Sequence, residues 1–344
     1  MQIEIAHNVN YIYYISIVED IQENQIESNQ EGVLPKPLFV QDKKNWVRKS
    51  LISLGIYAFI FLVILKVEPI YGAALLIVLL IHESGHFFAM KAFNYSNPKL
   101  FVLPLLGAFD TGKNTVITQR QMSVVILAGP IPGILIGIGL LMANQYYPNN
   151  RIEMLGKIFM GLNFFNLLPF MPLDGGRLLA TLFINQNHSI RIVFTIISIL
   201  VLVLFSFVFH SLFFLIIPVS MVFELIMEIK NQKIRDYLQQ ENMNYITEYK
   251  NLSDKDYWTI RDCIVLSFSR RYAMVKAGIH QYSMIEGSLM QHVISIIKTP
   301  MTKDLKIPSK IFVFLIFCAF LSIPVIYYIP KALEAIKSAA LLSK

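Results

Sequence analysis

Seven apolar stretches, each close to the length that crosses a lipid bilayer, constrain this chain more than any other feature of its sequence. A bilayer core takes about 20 consecutive apolar residues as helix. On that template the sequence predicts spans near 51–67, 70–90, 122–143, 154–172, 192–209, 211–227 and 311–329. The turn at His210 is so short that 192–209 and 211–227 should form a tight helical hairpin. Composition agrees: 55% of the 344 residues are hydrophobic and 15% charged, against about 25% charged in soluble domains. The expected fold class is an all-α multi-pass membrane protein of about seven transmembrane helices, with a small helical cytosolic domain.

The net charge is +7. No basic stripe interleaved with aromatics accompanies it, so nucleic acid is not an expected partner. The excess fits loops on one face of a bilayer instead. With the N-terminus inside, segments 36–50, 91–120, 177–191 and 229–310 hold 5, 4, 2 and 13 Lys and Arg, or 24 of the 30. The outer six are Lys66, Arg151, Lys157, Lys331, Lys337 and Lys344, of which the last three fit poorly outside. This frame divides the chain into a cytosolic tail (1–48) and a membrane core with its helical hairpin (49–227). A cytosolic helical domain (228–308) and a final membrane helix and tail (309–344) follow. The tail is acidic in its middle, from Glu19 to Glu31. The first long apolar block begins only near Leu51, so no cleavable signal peptide is expected. Cys263 and Cys318 have no spacing for a disulfide framework or a thiolate metal site.

Residues 82–86 read His-Glu-Ser-Gly-His, following the wholly apolar run Leu75–Leu80. Histidines at i and i+4 share one face of a helix, so both imidazoles can reach one point. Glu83 projects beside them, placed to take a proton from a zinc-bound water. Ionisable groups at this depth cost at least about 2.5–3.5 kcal/mol each on insertion scales and are functional by default. A histidine pair merely hydrogen-bonded to neighbouring helices would leave the spacing unexplained.

Catalytic zinc takes three protein ligands and an open position. Residues 163–177, Asn-Phe-Phe-Asn-Leu-Leu-Pro-Phe-Met-Pro-Leu-Asp-Gly-Gly-Arg, offer the third. Pro169 and Pro172 break the helix, and Gly175-Gly176 allows a tight turn. Broken backbone at membrane depth is tolerated where it is buried in protein or lines a wet cavity. Asp174 sits at that break, and its carboxylate there calls for a cation.

Together the two motifs resemble the site-2 protease family of intramembrane zinc metalloproteases, which joins a His-Glu-x-x-His helix to an Asn-x-x-Pro-x-x-x-Leu-Asp-Gly helix. Asn166, Pro169, Leu173, Asp174 and Gly175 meet the second pattern, and the likeness covers roughly residues 50–185. The resemblance implies His82, His86 and Asp174 as zinc ligands, Glu83 as general base, and Asn166 as a holder of the substrate backbone or oxyanion. It further implies cleavage of peptide bonds in or next to transmembrane segments of other membrane proteins, with single-span proteins the expected substrates. The basic-residue count puts the active site toward the cytosolic side.

Gly129, Gly133 and Gly137 recur at four-residue spacing, which suits a helix wedged between the two ligand-bearing ones. Leu100–Ala108 and Thr115–Thr118 flank a turn at Asp110-Thr111-Gly112-Lys113, an expected membrane-associated or re-entrant hairpin that could pair with an unwound substrate strand. The 87 residues between His86 and Asp174 leave no room for an inserted peptide-binding domain. Asn163 is a candidate partner of the site. Three other readings stay open: a catalytically silent helix-binding scaffold, an ion transporter using the same residues, and a zinc protease of another family with Glu224 as ligand. Intact Glu83 argues against the first, and the lack of repeated carboxylate-lined halves against the second.

Overall fold

The computed structural model describes residues 34–38, 52, 55–56, 58–64, 66, 68–95, 117–184, 187–208, 215–298 and 301–342. Contacts divide the chain into two units, one of Asp42–Ile226 with Met301–Lys344 and one of Met1–Gln41 with Met227–Pro300. The expected hairpin, with its Asp110-Thr111-Gly112 turn, lies outside the described residues except for Ile117–Thr118, and the His210 turn lies outside them too.

The larger unit is a bundle of apolar helices. Helix α1 (Pro69–Ala92) opens with proline in its first turn, where a missing N–H costs nothing. It buries Ala74, Val78, Leu79, His82, His86 and Met90 along one face, while Ile77 and Phe88 on the others stay exposed. Apolar side chains facing outward are what lipid would solvate. Strand β1 (Ile117–Thr118) leads into α2 (Gln119–Ala128), whose start Thr118 and Gln121 secure with a reciprocal capping box. Gly129 and Pro130 then join α2 to α3 (Pro130–Tyr146).

Helix α4 (Asn150–Asn166), capped by Asn149, packs along α3 at very short range. A methyl at Gly137 would lie 2.7 Å from Met160 Cγ, and one at Gly156 2.8 Å from Leu141 Cγ. Bare glycine on both sides is what lets these backbones meet. The expected span 154–172 ends earlier than predicted, at Asn166, because Pro169 and Pro172 cannot continue a helical ladder. The chain crosses residues 167–173 as turns and restarts as α5 (Asp174–Leu179), which runs into a π-helical turn at Ala180–Ile184. A methyl at Gly175 would lie 2.1 Å from the Leu167 carbonyl oxygen, and one at Gly176 2.3 Å from Phe170 carbonyl carbon. The two glycines thus let α5 fold back against the break.

Helix α6 (His188–Val208) supports that break, since Ser198 Oγ accepts from Met171 N at 3.0 Å. Helix α7 (Ile216–Gln240) gives its first part to this unit and its remainder to the other. Strand β2 (Met301–Thr302) pairs in parallel with β1, and α10 (Ile307–Leu342) buries Phe317 in a core with Ile126, Ile134, Leu167, Leu178 and Leu182.

Four stretches are helical, long and apolar enough to cross a membrane: Pro69–Ala92, Gln119–Tyr146, His188–Val208 and Ile307–Tyr328. They match four of the seven expected spans, and the chain is a mostly helical membrane protein. Of the other three, α4 is 17 residues long and carries Arg151, Glu153 and Lys157 in its opening turns, and α7 turns polar from Glu224 onward. The first span is only partly described, with a π-helical stretch at Ile60–Ile64.

The smaller unit packs α8 (Asp254–Ser267), begun by the Ser253 cap, against α9 (Glu286–Ile296) and the end of α7. Tyr257, Trp258, Ile260, Ile264, Leu289, Val293 and Ile296 form its core. Buried Arg261 is neutralised by Glu286 through bonds of 3.0 and 3.2 Å, and Tyr257 donates to the same carboxylate at 2.6 Å. His292 is buried as a neutral ring: Tyr272 OH donates to Nδ1 at 3.0 Å, and Nε2 donates to Asn231 Oδ1 at 3.1 Å. Burial, reinforced by the charge of Arg271, pushes its pKa down from 6.5 to about 4. A histidine so depressed binds its proton more readily when unfolded. The stability it contributes is complete above about pH 6.5 and is lost as pH falls toward 4. Acidification from pH 7 to 5 should therefore speed hydrogen exchange of the core amides of residues 257–265, and His292→Gln should remove most of that dependence. An unchanged pH profile in the variant would place the effect elsewhere.

Candidate metal centre

Two helices and one break build the site. His82 and His86 lie one turn apart on the buried face of α1, and Asp174 stands at the first position of α5. Their relative exposures are 3%, 4% and 6%, so three ionisable groups converge almost fully buried. His82 Nε2 lies 3.1 Å and His86 Nε2 3.2 Å from Asp174 Oδ2, and the two Nε2 atoms are 3.1 Å apart. Ligands bound to one zinc at about 2.0–2.1 Å and near-tetrahedral angles stand roughly 3.3 Å from each other. The triangle is within a few tenths of an ångström of that spacing.

Hydrogen bonding fixes which atoms face the centre. Asn163 Nδ2 donates to the Phe159 carbonyl at 2.7 Å, which turns Asn163 Oδ1 toward His82. That oxygen only accepts, so His82 Nδ1 carries the proton of their 2.8 Å bond. The Val125 carbonyl likewise requires His86 Nδ1 to donate, at 2.7 Å. Each neutral ring then presents an Nε2 lone pair inward, the arrangement that orients metal-binding histidines. Asp174 Oδ2 is buried without a hydrogen-bond partner. Three electron-pair donors converging in a buried space repel one another unless a cation lies between them, so the donor set fits zinc, with its preference for nitrogen and oxygen ligands.

Glycines make room for this geometry. A methyl at Gly129 would sit 2.4 Å from His86 Nε2, one at Gly133 2.1 Å from Asn163 Nδ2, and one at Gly85 2.0 Å from the Ala128 carbonyl oxygen. The glycine series thus lies against the histidines and their partner, Gly129 meeting His86 of α1 and Gly133 meeting Asn163 of α4.

Glu83 is partly buried, within electrostatic reach of His82, Asp174 and Arg177. Arg177, unremarked in the sequence, holds Nη1 3.8 Å from Asp174 Oδ1. A basic residue at i+3 from a carboxylate in an apolar context was the signal available for it. Asn166 stands at the end of α4, where its Nδ2 donates to the Leu162 carbonyl at 3.2 Å. It is Asn163, one turn earlier, that touches a histidine.

Asn163→Ala should leave the fold largely intact and weaken zinc retention by about 10–100-fold, the usual cost of losing such an orienting bond. Competition with a graded chelator reads the change. Equal retention would mean that the bond to His82 does not orient the ligand.

A helical membrane protein with a buried His-His-Asp group able to hold a metal is the class that fold and site define. Known proteins sharpen this. No family model matches the chain. It is 32% identical over 114 residues to stage IV sporulation protein FB of Bacillus subtilis, covering 33% of this chain and 40% of that one. It is 31% identical over 124 residues to a zinc metalloprotease of Methanocaldococcus jannaschii, covering 33% of this chain and 36% of that one. The chain thus spans less than half the length of these relatives. Among solved structures it is similar to the site-2 protease from Methanocaldococcus jannaschii, with 20% identity and a TM-score of 0.36 over 53% of this chain and 86% of that one. The relative from Methanocaldococcus jannaschii is by name a zinc metalloprotease, in line with the family that the two motifs resemble.

Proposed function

We propose that this chain is an intramembrane zinc metalloendopeptidase that hydrolyses peptide bonds in or next to transmembrane segments of other membrane proteins. The observation that carries this reading is the triangle of His82 Nε2, His86 Nε2 and Asp174 Oδ2 at 3.1–3.2 Å, buried among apolar helices and flanked by Glu83. A zinc ion bound there supplies Lewis-acid polarisation and lowers the pKa of a water to about 7. Glu83 is the group positioned to accept and return a proton, and Asn163 and the Val125 carbonyl hold the two imidazoles in the required tautomer. Arg177, beside Asp174 and within reach of Glu83, offsets their negative charge. Asn166 is assigned to hold the substrate backbone or the developing oxyanion, and the active site to the cytosolic side, where 24 of the 30 basic residues fall.

The substrate class is a membrane protein with a single transmembrane helix, presented from the bilayer. The test is to capture partners with a Glu83→Gln variant, identify them, and ask whether the wild-type protein reconstituted in lipid cuts them. Captured partners that the wild type leaves whole would favour a helix-binding scaffold.

A further inference from the structure

The smaller unit holds an extended peptide. Residues Leu34-Pro35-Lys36-Pro37-Leu38 have no regular secondary structure, yet three of their carbonyls, one N–H and the lysine ammonium are bonded to the unit. Trp258 Nε1 donates to the Leu34 carbonyl at 2.6 Å, Tyr282 OH to the Pro35 carbonyl, and Tyr249 OH to the Pro37 carbonyl at 2.7 Å. Lys36 N donates to Asp254 Oδ1 at 2.9 Å. The Lys36 ammonium donates to the carbonyls of Tyr249 and Lys250 at 3.0 Å each and to that of Leu252, and it lies 5.5 Å from the centre of the Tyr249 ring. Pro37 is buried, while Leu38 is 51% exposed.

This is how aromatic grooves read proline-rich ligands. Proline presets an extended backbone and has no N–H to satisfy, so a row of aromatic donors can take the carbonyls at low entropic cost. Specificity comes from the lysine between the prolines, because three carbonyls aimed at one point select a cation. The unit's core runs from Ile234 to Ile297, with Leu34 only packed at its margin. The cradle is thus formed by a body with its own core.

We infer that the unit of residues 227–300 is a peptide-recognition module for an extended Pro-Lys-Pro segment, whose resident ligand is the chain's own residues 34–38. The segment is a latch that ties the N-terminal tail to this module. A partner displaying the same Leu-Pro-Lys-Pro-Leu chemistry competes for the cradle. Because the resident segment is tethered, its effective concentration is on the order of millimolar, and an outside peptide is normally excluded.

The test uses the full-length protein in lipid nanodiscs and a fluorescent peptide of residues 31–41. Wild type should bind it weakly. Lys36→Ala, which loosens the latch and leaves the cradle whole, should bind it at least tenfold more tightly. Adding Tyr249→Phe and Tyr282→Phe should abolish the gain, as should a peptide with alanine at its own lysine. Hydrogen exchange of residues 257–265 is followed in parallel. If Lys36→Ala unfolds that core, the segment is an integral part of the fold and the inference fails. It also fails if the core stays protected and the peptide does not bind.

Discussion

Replacing Asp174 with alanine should strip the protein of zinc and reduce cleavage to background. Asp174 supplies the only carboxylate oxygen of the candidate triangle, and the variant leaves only the two imidazoles to hold an ion. Loss of an orienting partner costs a metal site about 10–100-fold, and loss of a direct ligand should exceed that. The fold should tolerate the change, because Asp174 Oδ2 accepts no hydrogen bond and Arg177, which loses its pairing with Oδ1, keeps Glu83 within electrostatic reach. Zinc content by atomic absorption and cleavage of a captured partner are the two readouts. Unchanged metal and activity would show that Asp174 is not a ligand.

Glu83→Gln should lower cleavage by about 10²–10⁴-fold, the contribution of a positioned acid–base group, while zinc stays bound. The amide is nearly isosteric and still bonds water, yet it accepts no proton at any working pH. What disappears is the group that takes a proton during attack and returns it to the departing amine. Binding of substrate should survive, because Asn166 and the glycines of α2 and α3 are unchanged. A variant with full activity would remove Glu83 from the mechanism. Loss of zinc along with activity would make its role structural and favour the scaffold.

Much of the site was legible because it depends on local geometry. An i, i+4 histidine pair shares a helix face whatever surrounds it, and two prolines stop a helix in any context, so His82, His86 and the turn before Asp174 could be placed on paper. Span counting was less secure. Apolar length marks a helix but not its ends, and α4 stops at Asn166, six residues before the predicted end of its span. The partner of His82 needed the tertiary structure: Asn163 and Asn166 are three residues apart on one helix, and only the packing of α4 against α1 decides which faces the histidine. The glycine series was visible as a close-approach surface, but a repeat states only that something comes near. That Gly129 meets His86 and Gly133 meets Asn163 follows from the register of α2 and α3 against their neighbours.

The sequence by itself determined that the chain is helical and membrane-embedded, and that a metal-binding pattern sits on an apolar helix, because hydropathy and helical period are properties of neighbouring residues. Only the tertiary structure decided the hydrogen-bond partners that orient the two histidines and the docking of Lys36 on Asp254, 218 residues away. Each of these depends on contacts between segments far apart in the chain, and no local pattern encodes which distant carbonyl or carboxylate a side chain will meet.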